Sequence, residues 1–307
     1  MSRESQSTKF GIDAGIFYML MATLTFAAMG GLVKTLSHTL PSLEITFFRN
    51  IFGVAIIGAS LWRRPMRTKG GKPLLLFFRG FIGFVALLAY FNNMANLPLG
   101  TAVTFNKTSP LFLAFFAWIF LGEKLPRTAV LALLFGFAGI AMIAKPEGIL
   151  HLDHDIMLGL LSGIGAALAY TSIRELKNHY DIRTIALSFM AVGTIGPILL
   201  MLLAEYITVP DSLHFMVARF VMPEGITWLY IVLAGLFATA SQLLMTKAYS
   251  LTQAGIVGTI TYTQILFAVI IGTLLGDQLP DLWSWIGMGL IVIAGLLVTV
   301  PRRTTAA

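Results

Sequence analysis

About ten apolar runs fill this chain of 307 residues, at 14–36, 44–62, 74–97, 100–121, 128–145, 156–174, 184–206, 226–249, 254–275 and 282–300. Each is close to the roughly 20 residues that a helix needs to cross a bilayer's hydrocarbon layer. The runs do not alternate as a one-faced strand would, and lipid offers no partner to an open sheet edge, so they predict helices. Only 11% of residues are charged and 57% are hydrophobic, whereas a water-soluble surface takes roughly a quarter charged. The chain therefore reads as an all-α, multi-pass membrane protein whose outer surface meets the lipid bilayer. Gaps such as Leu97–Gly100 and Gly122–Arg127 are so short that the runs they join form antiparallel hairpins.

The charges fall mostly between the runs, which makes the net charge of +7 a matter of topology and not of nucleic acid. With the N-terminus in the cytoplasm, Arg63, Arg64, Arg67, Lys69, Lys72, Lys124, Arg127, Arg174, Lys177, Arg183, Arg302 and Arg303 lie inside. The opposite loop Pro146–Asp155 has no Lys or Arg and carries three acids. The positive-inside rule then predicts a bacterial inner-membrane protein with both termini cytoplasmic. Met1–Asp13 is polar and too short for a signal peptide, so the first run is expected to stay as a helix. There is no cysteine, hence no disulfide framework, thiolate metal site or cysteine nucleophile.

An internal repeat organises the runs. Residues 97–126 moved by 154 positions fall on 251–280: Leu97 meets Leu251, Val103 meets Val257, Ala114 meets Ala268, and Gly122-Glu123-Lys124-Leu125-Pro126 meets Gly276-Asp277-Gln278-Leu279-Pro280. Five crossings are an odd number, so the second copy is inverted. The loop charges agree, since the first copy of the closing motif is basic and the second acidic. This predicts two inverted five-helix repeats, 1–150 and 151–307, with a site near mid-membrane between them.

The segment NLPLGTAVTFNKTSPLFLAFFAWIFLGEKL resembles the drug/metabolite transporter superfamily, specifically its EamA-domain members, in its Pro/Gly turn, small-residue helix, central Pro-Leu step and closing Gly-Glu-Lys-Leu. The second copy is similar but has Gln264 for Pro110, Asp277 for Glu123 and Gln278 for Lys124; ITFFRNIFG in the second run also resembles the family. The resemblance implies a transporter of small organic metabolites that works without a cofactor. It implies a central cavity lined mainly by the first, third, fourth, sixth, eighth and ninth helices. The fifth and tenth would sit at the periphery or at a homodimer side. Substrate and direction vary across the family, with export the commoner habit.

Ionisable residues inside a span face a cavity or a partner because of their cost in lipid. Lys107, beside Asn106, Thr108 and Ser109, lies at the same depth of its repeat as Tyr262 and Gln264 in the other, which favours a site over a snorkelling side chain. Arg79 stands one to two turns inside the third helix, where snorkelling and site are equal readings. Tyr90, Asn93 and Asn96 continue one face, as cavity groups or as interhelical hydrogen bonders. Arg49 is expected to hold helices together through Glu44 or a carbonyl, Lys247 to snorkel, and Gln242 to face the cavity. Tyr170 and Phe26 are taken to occupy similar places in the two repeats, where a ring stacks on a planar ligand or packs.

Deep cations without a deep carboxylate predict an amphipathic metabolite with an anionic or zwitterionic head, carried by alternating access and slightly favoured to be exported. An importer of the same fold and a non-transporting membrane scaffold are the alternatives, and a membrane enzyme is disfavoured because no nucleophile–base–orienter set appears. Gly30-Gly31…Lys34-Thr35 lacks the glycine before the lysine of a phosphate loop. His151, Asp153, His154 and Asp155 read as a solvated loop and not as a metal site.

Overall fold

A computed structural model describes residues 14–63, 70–121, 127–150, 153–210, 213, 215–252 and 259–299. The helices are α1 (Ala14–Leu36), α2 (Ser42–Arg63), α3 (Pro73–Asn96), α4 (Leu99–Asn106), α5 (Ser109–Leu121), α6 (Arg127–Leu150), α7 (His154–Leu176), α8 (Ile182–Leu203), α9 (Thr227–Leu251), α10 (Thr263–Leu274) and α11 (Leu282–Thr299). Seven of them are long and apolar enough to cross a membrane, and α10 and α11 add shorter apolar helices. The fourth crossing is α4 and α5 in tandem, where one continuous helix over 100–121 was expected.

Local chemistry sets the helix ends. Pro73 opens α3 at a position whose N–H has no intrahelical acceptor anyway. Asp153 and Asp181 cap α7 and α8, their carboxylates accepting from the amides of Asp155 and Arg183 at 2.9 Å each. Asp153, expected in a solvated loop, is thus a cap. Helical geometry of α6 breaks at Lys145, whose φ of 58° precedes Pro146. Within the spans Thr25, Thr46, Thr104, Thr171, Thr194 and Thr239 return their hydroxyls to carbonyls one turn back, which satisfies them without water.

The packing obeys the repeat. α1 lies against α9 and α7 against α3, so exchanging the halves maps one pair onto the other. Three further contacts, α2 with α8, α4 with α10 and α6 with α11, each join a helix to its own counterpart across the pseudo-two-fold, and α3 with α8 and α1 with α10 add to the packing. At the α2–α8 crossing a Cβ on Gly53 would strike Met190 and one on Gly193 would strike Asn50, and these are equivalent positions because Ser42 aligns with Ile182. Asn50 binds the crossing, donating Nδ2 to Thr46 O at 2.9 Å and Gly193 O at 3.2 Å. In this register Tyr170 falls on Gly30 and Phe26 on Ala166, so the expected match of Phe26 with Tyr170 is corrected.

Contacts between helix ends divide into two sets, as alternate crossings require. One set joins Lys34 to Asp277, Asn96 Nδ2 to Asp155 Oδ1 at 3.2 Å and Lys145 to Asp281 at 2.8 Å. The other joins Lys72 to Glu175 at 2.5 Å, Gly70 to His179, and Arg183 Nη1 to Ser60 Oγ at 3.0 Å. The start of α1 belongs to the second set and the start of α7 to the first, so the repeats are inverted.

Candidate functional site

The interior site is organised by two helix breaks at matched registers. Between α4 and α5, Lys107 and Thr108 form a turn; between the helical residues at 259–260 and α10, Thr261 and Tyr262 do. In the first copy Pro110 supplies no N–H, so the carbonyl of Asn106 loses its normal donor. The chain tightens: Thr108 N reaches Phe105 O at 3.1 Å, and the Thr108 hydroxyl donates to the same carbonyl at 2.6 Å. The second copy breaks without proline. Thr259, Ile260, Thr261 and Thr263 are all β-branched, and the Thr263 hydroxyl donates to Ile260 O at 2.7 Å, competing with the helical ladder. α7 meets the first break at Gly163, against Thr108 Oγ1 and Phe105 O, and α1 meets the second through Thr23 and Thr263, whose hydroxyls are 3.0 Å apart.

Asn106 and Lys107 sit half-buried at the first break, and among the described residues neither side chain makes a hydrogen bond or ion pair. Asn93 is fully buried with both amide atoms unpartnered, close to Phe105 of α4 where α7 carries Gly159. Down the same face of α3 come buried Tyr90 and then Arg79. Tyr170 of α7 is 51% exposed and lies within electrostatic reach of Tyr90, Arg79 and Arg49. The structure thus brings Asn93, Tyr90, Arg79 and Tyr170 to one α3–α7 seam, with Asn106 and Lys107 at its α4 edge.

Three other predicted residues stand apart. Gln264 is buried in the first turn of α10. Tyr262 packs its ring into the notch left by Gly295 of α11. Gln242 is exposed on α9, next to Ser241, which donates to Thr25 Oγ1 at 3.0 Å and so ties α9 to α1.

Arg49 departs from expectation. Its guanidinium donates to Asn50 Oδ1 at 3.0 Å and stands over Phe189 of α8, not beside Glu44. Glu44 is fully buried one to two turns away and accepts from the Val221 amide at 3.0 Å. The reason is helical phase: five residues apart, the two side chains project to different sides of α2. The resemblance leaves the second and seventh spans outside the lining set, so Arg49 was expected in a structural role and Phe189 was not singled out. The one available signal was an arginine near the centre of a span. Among the described residues no cluster of His, Cys, Asp or Glu is arranged to hold a metal.

With these positions in place, the comparisons are informative. The EamA-like transporter family matches residues 13–145 and again 155–300. An uncharacterized transporter of Helicobacter pylori is 32% identical over 290 residues, covering 94% of this chain and 95% of the relative. The pseudopaline exporter CntI of Pseudomonas aeruginosa is 32% identical over 294 residues, covering 95% and 98%. The riboflavin transporter of Vibrio cholerae is 26% identical over 300 residues, covering 93% and 92%. A solved structure at 17% identity superposes with a TM-score of 0.56 over 92% of this chain and 95% of that one, which speaks for the fold alone. A helical bundle of two inverted repeats, two matches to one family model and relatives that are transporters and not enzymes place the chain in the EamA-like transporter family as a multi-pass membrane transporter.

Proposed function

We propose that this transporter carries a small amphipathic metabolite with an anionic or zwitterionic head group across a bacterial inner membrane by alternating access. The repeats 1–150 and 151–307 are its two structural units, both termini are cytoplasmic, and export is the favoured direction. One observation carries the reading: the chain breaks at Lys107–Thr108 and at Thr261–Tyr262, in helices that pack on each other across the pseudo-two-fold. Broken helices at a repeat interface free backbone groups for a ligand in the only place where lipid does not forbid it. The sign of the head group is supported by Lys107 at the first break and Arg79 on α3, neither of which makes an ion pair with an acid among the described residues. Asn106, Asn93, Tyr90 and Tyr170 complete the proposed substrate contacts of the α3–α7 seam, and Gln242, Tyr262 and Gln264, apart from it, are the proposed contacts from the second repeat. Export is supported by the name of the Pseudomonas relative, an exporter.

Flux in proteoliposomes tests this reading. Labelled glutamate, succinate and lysine are compared for movement down an imposed gradient, in wild type and Lys107→Met. Faster movement of the acidic compounds, reduced at least tenfold in the variant, is the expected result. Selective movement of lysine would refute the charge assignment, and no movement of any compound across a broad metabolite panel would favour the scaffold.

A further inference from the structure

Two arginines from different helices share one aromatic ring and, among the described residues, pair with no acid. Arg79 Cζ of α3 lies 5.0 Å, and Arg49 Cζ of α2 5.6 Å, from the ring centroid of Phe189 on α8. Among the described residues neither guanidinium enters an ion pair. Arg79 Nε and Nη1 and Arg49 Nε are buried without any hydrogen-bond partner. A ring face attracts a cation, but it does not cancel two like charges held against it.

Snorkelling does not account for Arg79. It is 9% exposed and stands in the second turn of α3, within reach of the near end of the bundle. Its side chain runs the other way. Nη1 lies 2.5 Å from where a methyl on Gly83 would stand, one turn deeper, and Phe189 Cδ2 lies 2.9 Å from the same point. The missing side chain at Gly83 makes room for a guanidinium turned into the protein. Tyr170, half-exposed, borders the same place from α7.

We infer that Arg49 and Arg79, seated on Phe189, form an oxyanion subsite for a head group bearing two negative charges, a dicarboxylate end or a phosphate ester. The inference rests on the anion-carrying reading above and sharpens it. A single carboxylate would leave one buried guanidinium uncompensated. Two forks offer several parallel N–H donors, which suits paired or tetrahedral oxyanions.

The experiment is a thermal-stability titration of purified protein with succinate, inorganic phosphate, acetate and lysine, at ionic strength matched with chloride. Wild type should respond to succinate or phosphate at a concentration at least tenfold below that of acetate, and the stronger of the two identifies the head group. Arg49→Gln and Arg79→Gln should each raise the required concentration at least tenfold, while Lys145→Met, at an exposed ion pair outside the proposed contacts, raises it less than threefold. Arg79→Lys and Phe189→Leu serve if the glutamine variants do not fold; each should raise it at least threefold. Arginine variants that respond as wild type does would overturn the subsite. If Lys107→Met alone then loses the response, anion carriage survives and only the subsite falls. A wild type stabilised by lysine and by none of the anions would remove both.

Discussion

Two sets of buried cations in this protein are treated in opposite ways. Lys34, at the end of α1, is 12% exposed and pairs with Asp277, itself 11% exposed. Every strong group around that pair is used. Lys34 also donates to Leu97 O at 2.9 Å, and the second carboxylate oxygen of Asp277 accepts from the Leu99 amide at 2.7 Å. Asp277 thereby caps α4 from the loop after α10, with its charge at the positive end of the helix dipole. The turn that delivers it needs Gly276, whose φ of 98° closes α10 and lets Asp277 N bond back to Gly272 O at 2.8 Å. The knot ties α1, the α3–α4 turn and α10 together. Arg49 and Arg79 share an aromatic ring toward the other end of the bundle and, among the described residues, have no counter-ion. A fold that completes one cationic site and leaves the other open uses the first for structure and keeps the second for a ligand.

The contrast can be broken from either side. Asp277→Asn leaves Lys34 unpaired and weakens the cap on α4, and breaking a buried pair from one side costs about 3 kcal/mol. A fall of several degrees in the melting midpoint without ligand is expected; an unchanged midpoint would put the knot on the same footing as a surface pair. Arg49→Gln and Arg79→Gln should do the opposite. Each removes an uncompensated buried charge, so the ligand-free protein should be as stable as wild type or more so, by about 1 kcal/mol. A loss of stability like that of Asp277→Asn would make the arginines structural. Thr23→Val, which deletes the hydroxyl contact between α1 and α10 at the second break, should cost about 0.6 kcal/mol, readable as a small midpoint shift.

The smallest effect belongs to the exposed ion pairs, which calibrate the buried one. Lys145 and Ser284 hold the Asp281 carboxyl well below the usual aspartate range, and Lys72 holds Glu175 below its own. A depressed carboxyl contributes stability above its unfolded pKa, near 4, and loses it as pH falls through the folded value. The melting midpoints of wild type and Lys145→Met should therefore differ slightly at pH 7 and converge in acid, below the ordinary aspartate range. A difference that grows in acid would contradict the assignment.

Much of this architecture is legible in the sequence because lipid leaves so few options. Span length, the repeated Gly-acid-x-Leu-Pro closure and an odd number of crossings give the inverted bundle before any coordinate is known. The second copy of that closure, at 276–280, forms the turn that carries Asp277, while the first, at 122–126, lies outside the described residues. The break at Lys107 has local signals, Pro110 and the polar run Asn106–Ser109, but the apolar stretches on either side are long enough to read together as one span over 100–121. The shift of 154 that aligns 97–126 with 251–280 agrees with the turns at 107–108 and 261–262, while the match of Phe26 with Tyr170 does not hold. The connection between the second and third helices is longer in the second copy, so one shift does not serve both parts. The contacts that no sequence pattern supplied are all long-range: Asp277 on the α4 terminus, Arg49 over Phe189, and Asn93 against the α4–α7 crossing. They depend on which face of each helix meets which neighbour, and an apolar span records little of that.

The claim that an anionic head group enters this interior is tested most directly by the sign of the charge that moves with it. Proteoliposomes adsorbed on a supported membrane report the transient current when glutamate, succinate or lysine is added from one side. Negative charge should move into the liposomes with succinate and glutamate, this current should be abolished in Arg79→Gln, and lysine should give none. Positive charge moving with lysine, and silence with the acids, would contradict it.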